Sequence, residues 1–332
     1  MRLLVLSRNA GLYSTSRLVL AARARGHDVT VADPLDFQIV ISRGRPAMFL
    51  GERLLPPVDL VLPRIGASIT NYGLAVVRQF DMMGIPVLNN AIAIARSRDK
   101  LRAMQLLTKK DIDVPKTVCA RTPDSVDAAL DFVGGTPAIV KLQQGAQGIG
   151  TMIAETPQAV TSLLETLWAM GQDIILQEYI AESKGRDYRA ICVGGRIVAA
   201  MRRQAKKGEF RSNLHRGGLG VRVELPKQYR MAAMAAVKVM GLEVAGVDML
   251  EGRDGPKILE INSSPGLEGI ERTSGLDVAG AIIAHAEKFL AKRKKRRAGR
   301  ERDGVVEAEQ RPTRVRHEDA RAQNVRRLRA GA

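Results

Sequence analysis

Two short apolar stretches in the last third of the chain carry oxygen-bearing side chains where a strand would ordinarily stay apolar. They are Gly246-Val247-Asp248-Met249-Leu250 and Leu259-Glu260-Ile261-Asn262-Ser263-Ser264-Pro265-Gly266. In an extended chain residues i and i+2 share a face, so Glu260 and Asn262 project together and Asp248 on a neighbouring strand can join them. Two carboxylates and an amide oxygen make a hard, all-oxygen donor set. That suits Mg²⁺ or Mn²⁺, which take few protein ligands and complete their shells with water and phosphate oxygens. Burying two like charges on one sheet face is costly without a cation. Asp248 paired with an arginine, and Asn262 capping the Pro265-Gly266 turn, would satisfy the same residues with no metal.

Three further groups bear on phosphate chemistry. Lys141 closes the β-branched run Ala138-Ile139-Val140 and precedes Gln143-Gln144-Gly145-Ala146-Gln147-Gly148-Ile149-Gly150. Glycines at that density allow positive φ and close approach of N–H groups to an anion, and a neighbouring lysine is a mobile point charge. No Gly-Lys-Ser/Thr follows, so this is not a Walker A loop, and a plain Gly-rich hairpin would read the same way. Lys100 is a second candidate cation. Ile174-Ile175-Leu176-Gln177-Glu178-Tyr179-Ile180 is an apolar strand turning polar at one end, suited to an adenine edge and ribose hydroxyls or, equally, to a solvated edge-strand tip. Arg211-Ser212-Asn213-Leu214-His215-Arg216-Gly217-Gly218 gathers donors of the kind that stabilise charge on a transferring phosphoryl group. His215 has no second histidine at ligand spacing and reads as a hydrogen-bonding or substrate contact.

The elements that must position these residues form an α/β pattern. Residues 1–95 alternate strand and helix: strands at 3–6, 29–32, 60–62 and 87–88, helices at 14–25 and 71–83. This predicts a small parallel sheet covered by helices. Pro63-Arg64-Ile65-Gly66 follows a strand end, where open α/β sheets place ligand loops, making Arg64 an anion contact or a solvated loop arginine. A helix over 91–105 carries Asp99-Lys100. Residues 96–186 add strands at 114–120, 138–142 and 174–180 with helices at 125–133 and 156–169. Residues 187–290 add strands at 188–193, 196–202, 221–225, 244–250 and 257–261, with helices at 227–240 and 275–290. Residues 291–332 read as a basic tail without regular structure.

The chain has 332 residues, 45% of them hydrophobic but only 4% aromatic, so its core is built from aliphatic side chains. Two cysteines, Cys119 and Cys192, lack disulfide-scaffold or zinc spacing. No apolar run is long enough to span a membrane, and the N-terminus reads as a first strand rather than a signal. A cytoplasmic protein is expected. The net charge of +17 is concentrated at the end, where residues 291–332 hold 15 Lys/Arg against 6 Asp/Glu. Such a tail is either merely solvated or an electrostatic tether to RNA or another polyanion.

Two lysines, a Gly-rich flap, a strand-borne Asp/Glu/Asn set and an Arg/Asn loop resemble the ATP-grasp superfamily. Nearly all of residues 1–290 is similar to the RimK group of glutamate ligases. The resemblance is carried by Ser7-Arg8-Asn9, Pro63-Arg64-Ile65-Gly66, Ala95-Arg96-Ser97-Arg98-Asp99-Lys100, Gln147-Gly148-Ile149-Gly150, Gln177-Glu178-Tyr179-Ile180, Phe210 to Gly218 and Asn262 to Glu271. It implies an ATP-grasp fold behind a small parallel α/β N-terminal domain. It also implies ATP phosphates on Lys100 and Lys141 under the flap with Gly148 and Gly150, the adenine hinge at Glu178 and Tyr179, and ribose on Asp187. Arg211, Ser212 and Asn213 would line the nucleotide, Arg211 and Asn213 at the reacting phosphate. Asp248, Glu260 and Asn262 would bind two Mg²⁺ or Mn²⁺ ions. The implied reaction adds L-glutamate, through an acyl phosphate, to the C-terminal glutamate of a small-subunit ribosomal protein. Arg64, Arg202, Arg203, Lys206, Lys207, His215 and Arg216 would attract the acidic substrates. A small-molecule acceptor, or a nucleotide-responsive RNA-binding factor without turnover, stands as the alternative. The tail leaves ribosomal RNA contact open, and a homo-oligomer is compatible with the sequence.

Overall fold

The apolar run at the N-terminus becomes β1 (Arg2–Leu6), and α1 (Tyr13–Ala24) returns the chain to β2 (Asp28–Ala32). Gly26, at φ +74°, ends that helix in a conformation that side chains disfavour. A three-stranded antiparallel sheet follows, β3 (Phe37–Val40), β4 (Ala47–Leu50) and β5 (Arg53–Leu54), which the alternating β/α reading of this region does not anticipate. Then come β6 (Leu60–Pro63) and α2 (Thr70–Met82). The first sheet is parallel in the order β2-β1-β6. Val87 adds only a single parallel bridge to Val61, because the preceding Pro86 has no N–H to continue a ladder. The computed structural model describes residues 1–44, 46–119, 121–122, 125–143, 150–214 and 217–309, the segment 297–309 by its backbone.

The helix expected over 91–105 is two helices, α3 (Ala91–Arg98) and α4 (Lys100–Thr108). Asp99 sits between them in extended conformation and accepts a hydrogen bond from the Arg102 N–H at 2.9 Å. An aspartate at that position competes with the helix and caps the next one. The break places Lys100 on the first residue of α4.

Beyond it lie β7 (Thr117–Val118), α5 (Val126–Val133), β8 (Ala138–Leu142), β9 (Thr151–Ala154), α6 (Pro157–Ala169) and β10 (Ile174–Glu178). These strands form an antiparallel sheet, β7-β10-β8-β9. Its core is made of Val126, Leu130, Val140, Val160, Leu164 and Leu176, all from this segment. Thr156 accepts from the Ala159 N–H and caps α6.

The largest sheet is antiparallel: β11 (Arg186–Val193), β12 (Arg196–Gln204), β13 (Leu219–Arg222), β14 (Val244–Gly252) and β15 (Gly255–Asn262), ordered β13-β12-β11-β14-β15. One face packs on α7 (Lys227–Met240) through Ala190, Ala200, Val247, Met249, Ala233 and Val237. Ile191, Met201 and Val244, together with Leu3, Val5, Leu60 and Leu62 of the first sheet, belong to a second cluster. That cluster also takes in Ile270 of α8 (Glu268–Ser274) and Ile282 and Ile283 of α9 (Val278–Glu309). The chain divides into two units at Leu290/Ala291, and α9 continues helical through Glu309 rather than losing structure after residue 290. Ala, Lys, Arg and Glu, which dominate that segment, are strong helix formers. Residues 310–332 lie outside those described.

Candidate functional site

Period-two alternation decides which side chains meet. Asp248 on β14 stands opposite Glu260 on β15, and Gly246 stands opposite Asn262, so the acid pair and the amide share one face of the large sheet. A register shift directly after Asp248 leaves Leu259 as the extra residue, the local kink by which bulges re-aim neighbouring side chains. Arg189 on β11 faces Asp248 across the other seam and holds both of its oxygens, Nε to Oδ1 at 2.7 Å and Nη2 to Oδ2 at 2.5 Å. Arg203 on β12 reaches Asp248 Oδ2 at 3.1 Å and also binds both oxygens of Asp187, its Nε lying 2.6 Å from Oδ1. Asp248 is therefore held by arginines on the same face that carries Glu260 and Asn262.

The electrostatics follow from that crowding. Burial alone pushes the Asp248 carboxyl up, but Arg189 and Arg203 outweigh it and hold it at about 2. Glu260 goes the other way: burial, and Asp248 beside it, raise its pKa against the pull of Arg189, Lys100 and Lys141. Burial works against the Arg203 guanidinium, yet Asp248 and Asp187 more than compensate and its pKa is raised. Among the described residues no three His, Cys, Asp or Glu side chains group at a metal-binding distance. A cation here would take the two acids and the Asn262 amide and complete its shell from a ligand, the pattern Mg²⁺ favours. The donor set fits such an ion, because Glu260 is held near a like charge in a desolvated place that a divalent cation would relieve.

Both lysines converge on the same cleft. Lys141 Nζ donates to the Gln177 Oε1 at 2.5 Å, and Lys100 Nζ to the Leu142 carbonyl at 3.0 Å. Gln177 is buried and spends its Nε2 on Thr117 Oγ1 at 2.9 Å, so its oxygen is fixed toward the lysine. Burial lowers the Lys141 pKa to about 8 despite Glu260, with Lys100 adding to the fall. Burial lowers Lys100 as well, with Glu260 opposing. Two ammonium groups kept close, partly dehydrated and short of negative charge make a site for a polyanion.

The cleft holds about 1290 Å³ of space, part of it open to solvent, and is lined by Lys100, Lys141, Glu178, Tyr179, Asp187, Arg203, Arg211, Ser212, Asn213, Asp248 and Glu260. Apolar walls from Ile139, Met104, Leu250 and Ile261 complete it. Glu178 accepts from the Lys116 N–H at 3.0 Å and approaches Lys257 at 3.9 Å. Arg211 is aimed by a residue the sequence does not single out: Glu209 accepts from its Nε at 2.9 Å, its Nη2 at 2.8 Å and its backbone N–H at 3.0 Å. Arg211 holds the Glu209 carboxyl at about 2. Gly150, at φ +75°, packs against Leu142, and its carbonyl accepts from the Leu142 N–H at 2.9 Å.

The residues expected at the substrate divide. Arg64 donates to the Pro265 carbonyl at 2.7 Å, beside the segment that follows Asn262; burial, then Arg98, lowers its pKa to about 10. Arg98 donates to the Ile65 carbonyl and is itself lowered by burial, with Glu260 opposing. Arg203 faces the cleft but is committed to Asp187 and Asp248. Arg202 requires correction: alternation along β12 sends it to the opposite face, opposite Tyr188, whose ring packs on Tyr229 of α7. It is exposed there, away from the cleft; Lys206 and Lys207, just beyond the strand, are exposed as well. Gly148, His215 and Arg216 lie outside the described residues.

A family model described as the RimK-like ATP-grasp domain matches residues 97–286, and one described as the RimK PreATP-grasp domain matches residues 1–94. The chain belongs to the RimK family of ATP-grasp proteins. A probable alpha-L-glutamate ligase of Ectopseudomonas mendocina (strain ymp) is 50% identical over 300 residues, 90% of this chain and 100% of the relative. The probable alpha-L-glutamate ligase 1 of Shewanella denitrificans is 51% identical over 294 residues, 89% and 100%. Among solved structures, the ATP-grasp ligase PsnB complexed with minimal precursor superposes with TM-score 0.68 at 22% identity, covering 86% of this chain and 98% of that one. The D-alanine--D-alanine ligase of Bacillus anthracis complexed with ATP gives 0.65 at 19% identity, covering 89% and 99%. These two share the fold. This RimK-family chain is an ATP-dependent ligase, its mixed α/β ATP-grasp fold preceded by a domain with a parallel sheet. No helix among its described residues is long and apolar enough to cross a membrane.

Gln177 lines the RimK-family cleft, and Arg98, Arg189 and Glu209 hold residues at or beside it, without having been singled out by sequence. Arg98 and Gln177 stood inside motifs already noted and Arg189 inside an expected strand, but their partners lie across strands or in distant loops. Glu209, two residues before Arg211, was the one with a local signal.

Proposed function

We propose that the protein is an ATP- and Mg²⁺-dependent α-L-glutamate ligase that extends an acceptor ending in glutamate, the C-terminal tail of a small-subunit ribosomal protein, by one or more residues. The relatives at 50–51% identity that match over their full length support glutamate as the added amino acid. The observation that carries the reading is the convergence of Lys100, Lys141 and Arg211 with the Asp248/Glu260 pair on a single cleft. That set of charges suits a nucleoside triphosphate whose phosphates lie between cations and acid-held metal.

In this reading Lys100 and Lys141 hold the phosphates beneath the Gly-rich loop containing Gly148 and Gly150. Glu178 and Tyr179 take the adenine edge, Asp187 takes the ribose, and Ser212 lines the nucleotide. Asp248, Glu260 and Asn262 would hold two Mg²⁺ or Mn²⁺ ions, which would neutralise charge on the outer phosphates. An acceptor carboxylate oxygen attacks the γ-phosphorus, the bond from that phosphorus to the bridging oxygen breaks, and ADP leaves. The glutamate amine then attacks the acyl carbon, loses a proton, and phosphate departs as the amide forms. Arg211 and Asn213 face the charge that develops in the first step, and Arg64 the acidic substrate. His215 and Arg216 complete the acidic-substrate contacts. The residues of 1–95 bind the carboxylate substrate, while 96–186 and 187–290 clamp ATP. The basic segment 291–332 approaches ribosomal RNA.

The test is direct. Purified protein supplied with ATP, Mg²⁺, L-glutamate and a peptide ending in glutamate releases ADP and phosphate in step with a peptide mass increase of one or more glutamyl residues. ADP release without extension of such a peptide, but with extension of a small-molecule acceptor, overturns the protein substrate; no ADP release with either overturns the ligase reading.

A further inference from the structure

The segment immediately after the acid-bearing strand is held by residues from the first ninety of the chain. Asn89 Nδ2 donates to the Ser263 carbonyl at 3.0 Å and to the Val244 carbonyl at 2.7 Å. Its Oδ1 accepts from the Glu243 N–H at 2.7 Å and the Val244 N–H at 3.0 Å. Ser264 Oγ donates to the Pro63 carbonyl at 3.4 Å, Arg64 to Pro265, and the Leu267 N–H to Ser14 Oγ at 2.9 Å. Residues 263, 264, 265 and 267 are thus each tied to the first region, at separations in sequence from 174 to 253.

Asn89 is the centre of this arrangement. It is only 3% exposed, and an amide has two N–H donors and two accepting lone pairs, all used here on backbone groups. Those groups bracket the donor set: Val244 opens the strand that carries Asp248, and Ser263 directly follows Asn262. Ser263 is buried with its own hydroxyl unpaired, so its side chain does not fix the turn; the bond from Asn89 to its carbonyl does. A short, rigid, fully satisfied amide between two strand ends sets their separation more firmly than packing alone.

We infer that Asn89 is a positioning residue for the divalent-cation site, transmitting the placement of the N-terminal sheet to Asp248 and Asn262. The inference rests on the reading of Asp248, Glu260 and Asn262 as cation ligands. Groups bonded to metal ligands change metal affinity by about 10- to 100-fold when removed, and Asn89, which holds the backbone next to Asn262, acts at the low end of that range.

The experiment measures Mn²⁺ binding to the full chain by electron paramagnetic resonance in the presence of a non-hydrolysable ATP analogue, beside the melting temperature of each variant. Asn89→Ala is expected to raise the Mn²⁺ Kd by about tenfold. In the ligation assay it should shift the metal requirement while kcat at saturating metal falls by less than about threefold. Ser14→Ala, which removes one milder tie, is expected to move the Kd about threefold in the same direction and decides the matter if Asn89→Ala does not fold. Val77→Ala, in the core of the first region away from the site, serves as a control: it should lower the melting temperature and leave the Mn²⁺ Kd unchanged. Kd values for Asn89→Ala and Ser14→Ala within about twofold of the parent overturn the inference, as does an equal shift in Val77→Ala. A parent protein that binds no Mn²⁺ with the analogue overturns the cation reading itself, and the role of Asn89 with it.

Discussion

Replacing Arg203 with methionine tests whether the cleft floor is built as an ion-pair network rather than as a set of independent ligand contacts. Arg203 is 2% exposed and touches both Asp187 and Asp248. The two acids would be left in different states. Asp248 keeps its paired contact with Arg189, whereas the Asp187 carboxylate, 3% exposed, loses both of its hydrogen bonds. Methionine restores much of the volume but no charge, so the main loss is one orphaned buried carboxylate, about 3–5 kcal/mol. With an m-value of about 3 kcal/mol/M in urea, the unfolding midpoint should fall by about 1–2 M. Urea titrations followed by far-ultraviolet circular dichroism at neutral pH, without nucleotide, read this directly. Asp187→Asn with Arg203→Met removes the orphan and should recover more than about half of the loss, since deleting both partners costs less than deleting one. An Arg203→Met protein within about 1 kcal/mol of the parent, or a double variant no better than the single one, would refute the network.

Three other outcomes are expected. Because burial holds the free Lys141 at about 8, its ammonium is present below that pH and lost above it. ATP affinity should therefore weaken by about tenfold between pH 7 and 9.5 in calorimetric titrations, and Lys141→Arg, which stays charged, should flatten the profile. Glu209→Ala removes the carboxylate that grips the Arg211 guanidinium and should lower kcat for peptide extension by about 10-fold or more, with a smaller change in KM for ATP, in steady-state assays. Deleting residues 291–332 should leave extension of a short peptide within about twofold of the full chain while cutting retention on immobilised RNA, with the difference shrinking at high salt.

Much of the strand and helix content was legible because aliphatic runs and helical spacing report burial directly. The region 37–54 was not: its strands run to only four, four and two residues, with Phe37 and Met48 buried but Leu54 facing outward, too short for a periodicity to mark them. One helix was read where two exist because Asp99 counts little in an apolar pattern yet caps the second helix decisively. The Asp248, Glu260 and Asn262 set could be read from spacing within single strands. Which cations answer it could not, since Arg189 and Arg203 reach Asp248 through inter-strand register. Arg202 and Arg203 are adjacent in sequence and face opposite ways, and only the alternation fixed by Tyr188 opposite Arg202 tells them apart. Asn89 illustrates the same limit, as its partners lie more than 150 residues away.

The apolar clusters have a mechanical corollary. Leu3, Val5, Leu60 and Leu62 interlock with Ile191, Met201, Val244 and Ile282 in one continuous interior, so these parts cannot slide without tearing oil from oil. Among the described residues, the stretch from Val118 to Leu176 keeps an apolar cluster of its own. A displacement of that stretch, carrying Lys141 and Gln177 with it, would disturb less shared apolar packing than one between the first and largest sheets.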